Sequence, residues 1–336
     1  MEREAMLYET LPGGRVRCHV CQWRCLINPG KLGLCRMRIN RDGKLLTMNY
    51  AEVSSMAPDH IEKKPLFHFF PGTYALSLGT WGCNFHCKGC QNWEISCVDI
   101  PQSSRQLLPE REIELAKSYD CQGVAWTYNE PTVWFEYTLD SAKLAKQNNL
   151  YTVYVTNGYA TPEALDTIGP WLDAWRVDVK GFTDAFYRQL AKVPGWQGIL
   201  DVARRAEEKW HMHVEVVTNV IPTMNDDEEQ LRNIALWIRD NLGELTPWHV
   251  TRFYPLHEFG HLSATPISTL EKAYRIGKEA GLKFVYLGNV PGHDYENTVW
   301  YSCGKRVVHR SGYDSEVLGL DGSKCKFCGA ELNFRL

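Results

Sequence analysis

Three cysteines share the short run Gly82-Cys83-Asn84-Phe85-His86-Cys87-Lys88-Gly89-Cys90-Gln91-Asn92. The C-x3-C-x2-C spacing begins directly after an apolar segment at residues 74–80, which predicts a loop at the end of a strand. Three thiolates on one loop can bind three irons of a 4Fe–4S cluster and leave the fourth iron open, whereas a cluster that only carries electrons normally has four thiolates. The run therefore predicts a cluster that a small molecule can chelate. A structural zinc site that uses His86 as the fourth ligand is the competing interpretation.

The segments around this loop alternate between two kinds of pattern, which predicts parallel βαβ units. Apolar and β-branched runs typical of strands occupy residues 75–78, 123–127, 151–156, 174–179, 213–221, 249–254 and 283–287. Amphipathic runs with helical period occupy residues 110–119, 134–148, 162–168, 185–190, 198–210, 227–241 and 268–280. Six or seven such units predict an α/β fold, a partial (β/α)6 TIM-like barrel over residues 73–290.

The two ends of the 336-residue chain lack this alternation of strand-like and helix-like segments. Residues 1–72 form a Cys-rich N-terminal extension, and residues 291–336 form a Cys-containing, zinc-ribbon-like C-terminal extension. Both are too short for a core of their own, and small extensions of this kind are commonly held together by metal.

Composition limits the function classes. The formal net charge is −3 with 23% charged residues, so no basic field recruits nucleic acid. No apolar run has the length of a membrane span, and the charged start Met1-Glu2-Arg3-Glu4-Ala5 lacks a signal-peptide core. We expect a cytoplasmic protein without membrane contact. In that compartment, 12 cysteines favour metal binding over disulfides.

Two further cysteine groups are candidate metal sites. The N-terminal group could bind zinc or a second iron–sulfur cluster, or consist of plain thiols; its members are Cys18, Cys21, Cys25 and Cys35. The C-terminal group resembles a zinc ribbon with one ligand missing; its members are Cys303, Cys325 and Cys328, with His309 available as a fourth ligand. A metal-free ribbon is equally compatible with this pattern.

Polar residues cluster where several predicted strands end, which is where a barrel places its functional groups. Each segment alone is typical of a turn. Together they supply acid, amide, ammonium and imidazole groups suited to a zwitterionic, cationic ligand. The candidates are Asn129, Glu130, Thr156, Asn157, Asp178, Lys180 and His249.

The chain resembles the AmmeMemoRadiSam-system members of the radical S-adenosylmethionine (radical SAM) superfamily, which are relatives of pyruvate formate-lyase activating enzyme. The matching runs are Lys63-Lys64-Pro65-Leu66-Phe67-His68-Phe69, Gly82-Cys83-Asn84-Phe85, Cys90-Gln91-Asn92-Trp93-Glu94, Tyr128-Asn129-Glu130-Pro131, Thr156-Asn157-Gly158-Tyr159 and Gly288-Asn289. One position departs from the superfamily pattern. Gly89 stands where an aromatic residue usually precedes the third cysteine, so adenine stacking must come from elsewhere, for example from Phe85 or Trp93.

The resemblance implies a radical SAM enzyme in which Cys83, Cys87 and Cys90 ligate the cluster and SAM chelates its open iron. It implies that Asn129 and Glu130 contact the SAM amino group. Its carboxylate, ribose or adenine would meet the other strand-end residues: Thr156, Asn157, Asp178, Lys180 and His249. An electron donor such as flavodoxin or ferredoxin would reduce the cluster. Cleavage of SAM would give a 5′-deoxyadenosyl radical that abstracts hydrogen from an unidentified protein, peptide or small-molecule substrate.

Two other functions compete with this interpretation. A non-catalytic iron–sulfur or zinc scaffold leaves the strand-end residues and the missing fourth thiolate unexplained. A zinc peptidase is suggested by the H-E-x-x-H run His257-Glu258-Phe259-Gly260-His261, which binds zinc only on a helix. Pro255 and Gly260 argue against a helix at this position.

Overall fold

The computed structural model of the chain describes residues 1–98 and 105–336. Within these residues, eight strands form the central sheet, in the spatial order β8-β7-β6-β5-β4-β3-β2-β1. All neighbours pair in parallel except β1, which pairs antiparallel with β2 at the edge. The strands are β1 Ser55–His60, β2 Tyr74–Gly79, β3 Gly123–Trp126, β4 Tyr151–Thr156, β5 Ala174–Asp178, β6 His213–Val220, β7 Trp248–Arg252 and β8 Val285–Gly288.

Eight α-helices connect or flank these strands in the described part of the chain: α1 Trp93–Ser96, α2 Pro109–Ser118, α3 Phe135–Gln147, α4 Pro162–Ile168, α5 Asp184–Ala191, α6 Gln197–Trp210, α7 Glu228–Asn241 and α8 Ile267–Glu279. The Thr161 hydroxyl caps α4 by accepting from the Ala164 amide, as Thr161-Pro162 predicts. None of the helices in the described residues is long and apolar enough to cross a lipid bilayer.

The predicted α/β fold with a parallel sheet is confirmed, and its seven parallel strands correspond to the seven strand-like runs of the sequence, one more than a (β/α)6 barrel has. Seven strands run parallel because β8 joins the sheet beside β7. The antiparallel strand β1 was not predicted. It contains Pro58, which cannot donate to a sheet, and an edge strand tolerates that loss.

The two faces of the sheet pack against different partners. Leu76, Val124 and Trp126 belong to the main core that includes the helices. On alternate positions, Ala75 and Ala125 pack with Leu66 and Phe69, from the segment after β1. The small alanines on this second face leave room for that segment.

The terminal regions add small antiparallel sheets. One N-terminal sheet contains Arg3–Glu4, Lys44–Thr47 and Arg38–Arg41. A second contains Tyr8–Leu11, Arg15–Cys18 and Leu26–Ile27. A two-stranded sheet pairs Glu52–Val53 with Arg105–Gln106. The C-terminal ones contain Thr298–Val299, Arg306–Ser311 and Asp314–Val317, and Leu320–Asp321 with Lys324–Cys325. Val16, Val20 and Ile27 share the main core with barrel residues, so the N-terminal region packs directly on the barrel.

Candidate active site

The three-cysteine loop leaves the carboxyl end of β2, as the spacing predicts. Cys83 is buried, and Cys87 and Cys90 are half-buried. The loop is entered at Gly82, whose φ of +77° favours glycine. A Cβ on Gly82 would lie 2.5 Å from Met37 Cγ, so the N-terminal region presses against the start of the loop.

Asn129, which follows β3, fixes the backbone of this loop. Its side-chain amide donates to the Gly82 carbonyl over 2.6 Å, and its carbonyl oxygen accepts from the Thr80 amide over 3.2 Å. Both hydrogen bonds join the ends of β2 and β3. The Asn129 side chain is therefore a direct positioning group for the cysteines.

Glu130 performs the same role toward the end of β4. Its buried carboxylate accepts from the Thr156 hydroxyl over 2.7 Å, from the Asn157 amide over 2.8 Å and from the Thr132 amide over 3.0 Å. Burial raises the pKa of Glu130 in spite of these donors. The carboxylate thus links three chain segments at the barrel mouth.

Asn157 continues this network to the cysteines. Its side-chain amide donates to Asn84 Oδ1 over 2.8 Å and lies 4.0 Å from Cys83 Sγ. The Phe85 amide donates to Cys83 Sγ over 3.4 Å. Asn84 Nδ2 is buried and has no hydrogen-bond partner among the described residues. An orphaned donor on the residue next to Cys83 indicates that a further group belongs in this space.

Charged side chains lie beside Cys87. Asp178 forms ion pairs with Arg176 and, over 2.9 Å, with Lys180 Nζ. These cations lower the pKa of Asp178 although burial opposes them, and the Asp178 carboxylate raises the pKa of Lys180 although burial opposes it too. Lys180 retains 23% of its side-chain exposure, so the cluster lies at a solvent-accessible mouth.

The thiols fit a metal group. Burial raises the pKa of Cys83 well above its ordinary value and that of Cys87 to about 12. Buried thiols of this kind become thiolates when a bound cation compensates the charge. Three observations fit an iron–sulfur cluster with three protein ligands: the three thiols on one loop, the hydrogen bond from the Phe85 amide to Cys83 Sγ, and the Asn84 side-chain amide without a partner.

His249 is not brought to this site. It is the second residue of β7, is 1% exposed, and shares a 2.6 Å hydrogen bond with Glu215. Glu215 also accepts from the amides of Phe67 and His68, so His249 belongs to a buried network below the mouth. The other six strand-end candidates do lie at the mouth; they are Asn129, Glu130, Thr156, Asn157, Asp178 and Lys180.

Gly89 has a structural explanation. A Cβ on Gly89 would lie 2.9 Å from Phe259 and 3.2 Å from Phe253, so these rings occupy the space of an aromatic side chain at residue 89. Phe85 is 2% exposed and packs on Tyr159, which makes it unsuitable for stacking on a ligand.

The H-E-x-x-H run does not form a zinc-peptidase site. His257–Phe259 is a single 3-10 turn, and His257 has a φ of +51°, so no helix places the two histidines on one face. The Phe259 amide instead donates to the Lys88 carbonyl over 3.2 Å. This segment therefore packs against the cysteine loop and is hydrogen-bonded to it.

The C-terminal cysteines converge. The Sγ atoms of Cys303, Cys325 and Cys328 lie within 4.8 Å of one another, close enough to hold one metal ion. His309 stands apart from this group, and its Nδ1 lies 2.8 Å from Asn297 Oδ1. The N-terminal cysteines also converge, because all four line one cavity.

Sequence reasoning missed three contacts at the mouth. Asn84 lies inside the cysteine loop, and Arg176 stands two residues before Asp178 on the same face of β5, a spacing that the strand period reveals. Phe259 could not be found this way, because its partner Gly89 lies far away in the sequence.

Comparisons with known proteins agree with this geometry. A model of the radical SAM superfamily matches residues 79–235. An uncharacterized protein of Methanocaldococcus jannaschii is 41% identical over 339 residues, 99% of this chain and 100% of that protein. The pyruvate formate-lyase-activating enzyme of Clostridium pasteurianum is 24% identical over 181 residues, 50% of this chain and 72% of that enzyme. A radical SAM methyltransferase from Sphaerobacter thermophilus superposes with a TM-score of 0.50 at 13% identity, over 65% of this chain and 67% of that one, a likeness of fold alone.

Proposed function

Because this chain belongs to the radical SAM superfamily, as its motifs predict, we propose that it cleaves SAM reductively and uses the product radical to abstract hydrogen from a substrate. Membership in the superfamily implies a 4Fe–4S cluster and SAM. Cys83, Cys87 and Cys90 would hold the cluster, and the observation that carries the proposal is their placement on one loop at the end of β2. This loop offers three cysteines, so we propose that SAM takes the fourth iron.

When bound, such a cluster supplies the electron that breaks the sulfonium carbon–sulfur bond of SAM, which gives methionine and a 5′-deoxyadenosyl radical. The chain's own residues position this chemistry. Asn129 holds the entry of the cysteine loop through Gly82, and Asn157 holds Asn84 beside Cys83. Burial of Cys83 and Glu130 keeps water from this part of the site.

We propose that the SAM amino group lies at the Asn129 and Glu130 segment and that its carboxylate lies near Lys180. Lys180 is the half-exposed cation beside Cys87, and its partner Asp178 is shared with Arg176. A cation placed in this way suits a carboxylate, while the acceptor atoms at the ends of β3 and β4 suit an ammonium group.

The partners follow from the same proposal. A one-electron donor of the flavodoxin or ferredoxin class reduces the cluster, and the substrate is a protein, peptide or small molecule with an abstractable hydrogen. A relative named as a pyruvate formate-lyase-activating enzyme supports the protein class. The three C-terminal thiols would hold zinc, with a non-cysteine ligand in the fourth position.

The experiment is a single-turnover assay for 5′-deoxyadenosine. Anaerobically reconstituted protein is mixed with SAM and a strong reductant, and the product is measured by chromatography. We expect product from the parent and from Cys121→Ala, a buried cysteine outside the three groups, and none from Cys87→Ala. Product from Cys87→Ala at the parent rate would refute the cluster assignment. Binding of SAM without any cleavage by the parent would favour the non-catalytic scaffold.

A further inference from the structure

A small cavity in the N-terminal region is lined by four sulfur atoms. The cavity is bounded by residues of this region together with Thr132 and Val133 of the barrel. Its cysteines come from one turn-rich stretch, Cys18, Cys21, Cys25 and Cys35. Two hydrogen bonds close this stretch: the Cys18 amide donates to the Cys25 carbonyl, and the Arg24 amide donates to the Cys21 carbonyl, each over 3.0 Å.

The rest of the lining is mostly apolar. Val20, Ile27 and Val133 contribute side chains, and Arg38 contributes the cation. Arg38 already forms a two-pronged ion pair with Glu136 over 3.0 and 2.8 Å, and both side chains are at most 3% exposed. The charge of Arg38 is therefore balanced, so the four sulfurs, as thiolates, would need a group that brings its own positive charge.

The spacing of the sulfurs separates a single ion from a cluster. Four thiolates around one zinc at about 2.3 Å stand about 3.8 Å apart, in contact with one another. Among the described residues, the three C-terminal cysteines lie close enough for one ion, while no three of the N-terminal thiols do. The Cys83, Cys87 and Cys90 thiols do not all lie within 4.8 Å of one another either. Thiolates stand further apart when each binds a different iron.

We infer that Cys18, Cys21, Cys25 and Cys35 hold a second 4Fe–4S cluster with four protein ligands. This choice decides between the zinc and iron–sulfur alternatives that spacing in the sequence leaves open. The inference rests on the cavity and not on the proposed radical chemistry.

The segment that would hold the second cluster packs against the loop of Cys83, Cys87 and Cys90. A Cβ on Gly82 would be 2.7 Å from the Cys35 carbonyl, and the Trp23 indole donates to the Asn84 carbonyl over 2.8 Å. The Gln22 amide donates to the Tyr159 carbonyl over 3.0 Å, so the stretch also contacts the end of β4. The segments that carry the two cysteine groups are therefore in direct contact. The second cluster would be held next to the candidate active site.

The test compares metal content, not activity. Parent protein and the variant with Cys18, Cys21, Cys25 and Cys35 all changed to Ser are isolated anaerobically after iron and sulfide supply. Iron, acid-labile sulfide and zinc are then measured per chain. We expect the variant to lose about four irons and about four sulfides while its zinc is unchanged, since a 4Fe–4S cluster holds four of each. The control Cys121→Ser should lose neither.

Three results would overturn the inference: loss of about one zinc with iron unchanged, no change in any metal, or a zinc-only parent. If the quadruple variant does not fold, the half-buried Cys25→Ser is measured in the same way. Failure of the proposed function looks different. In that case the parent holds about four irons, all lost in the N-terminal variant, and the Cys83→Ala/Cys87→Ala/Cys90→Ala variant retains them.

Discussion

Replacing Glu130 by glutamine tests whether the strand-end carboxylate organises the site. The carboxylate accepts three hydrogen bonds, and its Oε2 faces the Asn157 amide over 2.8 Å. In the Glu130→Gln variant one oxygen becomes an NH2 group, so a donor faces a donor at one of these contacts. A hydrogen bond to a charged group contributes about 1.5–3 kcal/mol, and one such loss corresponds to a roughly 10- to 100-fold change in an equilibrium constant.

We expect this loss to appear in SAM affinity because Asn157 holds Asn84 beside Cys83. The assay is calorimetric titration of SAM into reconstituted protein, together with thermal unfolding to show that the variant folds. Glu114→Gln is the matched control, since Glu114 is exposed on α2 and forms a surface ion pair with Arg111. A Glu130→Gln variant that binds SAM as tightly as the parent would refute the reasoning.

Three further predictions concern the neighbouring contacts. Gly82→Ala should lower the free energy of unfolding by about 2–4 kcal/mol, from left-handed strain and the 2.5 Å approach to Met37, whereas Gly195→Ala, with open space around it, should change it little in chemical denaturation. Lys180→Met should weaken SAM binding about tenfold in calorimetry by removing the cation beside Asp178, and unchanged affinity would argue against a carboxylate contact there. Burial raises the pKa of Glu112 to about 7, so the free energy of unfolding should fall as pH rises from about 4.5 to 7, by up to about 1.4 kcal/mol per pH unit. Glu112→Gln should remove this pH dependence, and the same pH dependence of unfolding free energy in both proteins would contradict the prediction.

Most of the barrel could be predicted because its strands and helices are long enough to show their own periods. The strand predicted at residues 151–156 has the same bounds in the structure, and the helix predicted at residues 162–168 does as well. Strand β1 was missed because Ser55–His60 contains Pro58 and lacks an alternating pattern. Its position at the sheet edge depends on pairing with β2, which the local sequence does not record.

The site could be predicted in part, for a related reason. The order of motifs along the chain places Asn129, Glu130 and Asn157 at neighbouring strand ends, because parallel strands all point their carboxyl ends to one edge. His249 follows the same strand pattern, but it stands at the start of β7 rather than at its end. A single position along a strand thus decides whether a residue reaches the mouth, and the pattern alone does not resolve it.

Contacts between distant segments could not be predicted at all. The packing of Cys35 and Met37 against Gly82 joins residues nearly fifty positions apart, and Phe259 reaches Gly89 from another loop. Such contacts depend on how complete elements pack. Because of these contacts, the N-terminal cysteines lie on a segment packed against the candidate active site and not on a separate appendage.

The central claim is that the cluster of Cys83, Cys87 and Cys90 has an open iron that binds SAM. It is tested most directly by electron paramagnetic resonance of the reduced protein, recorded before and after SAM is added. The N-terminal quadruple Cys→Ser variant is used so that this loop supplies the signal. We predict a reduced 4Fe–4S signal that SAM shifts, because the ligand binds the iron itself. A signal that is unchanged by saturating SAM, or no iron–sulfur signal at all, would contradict the account.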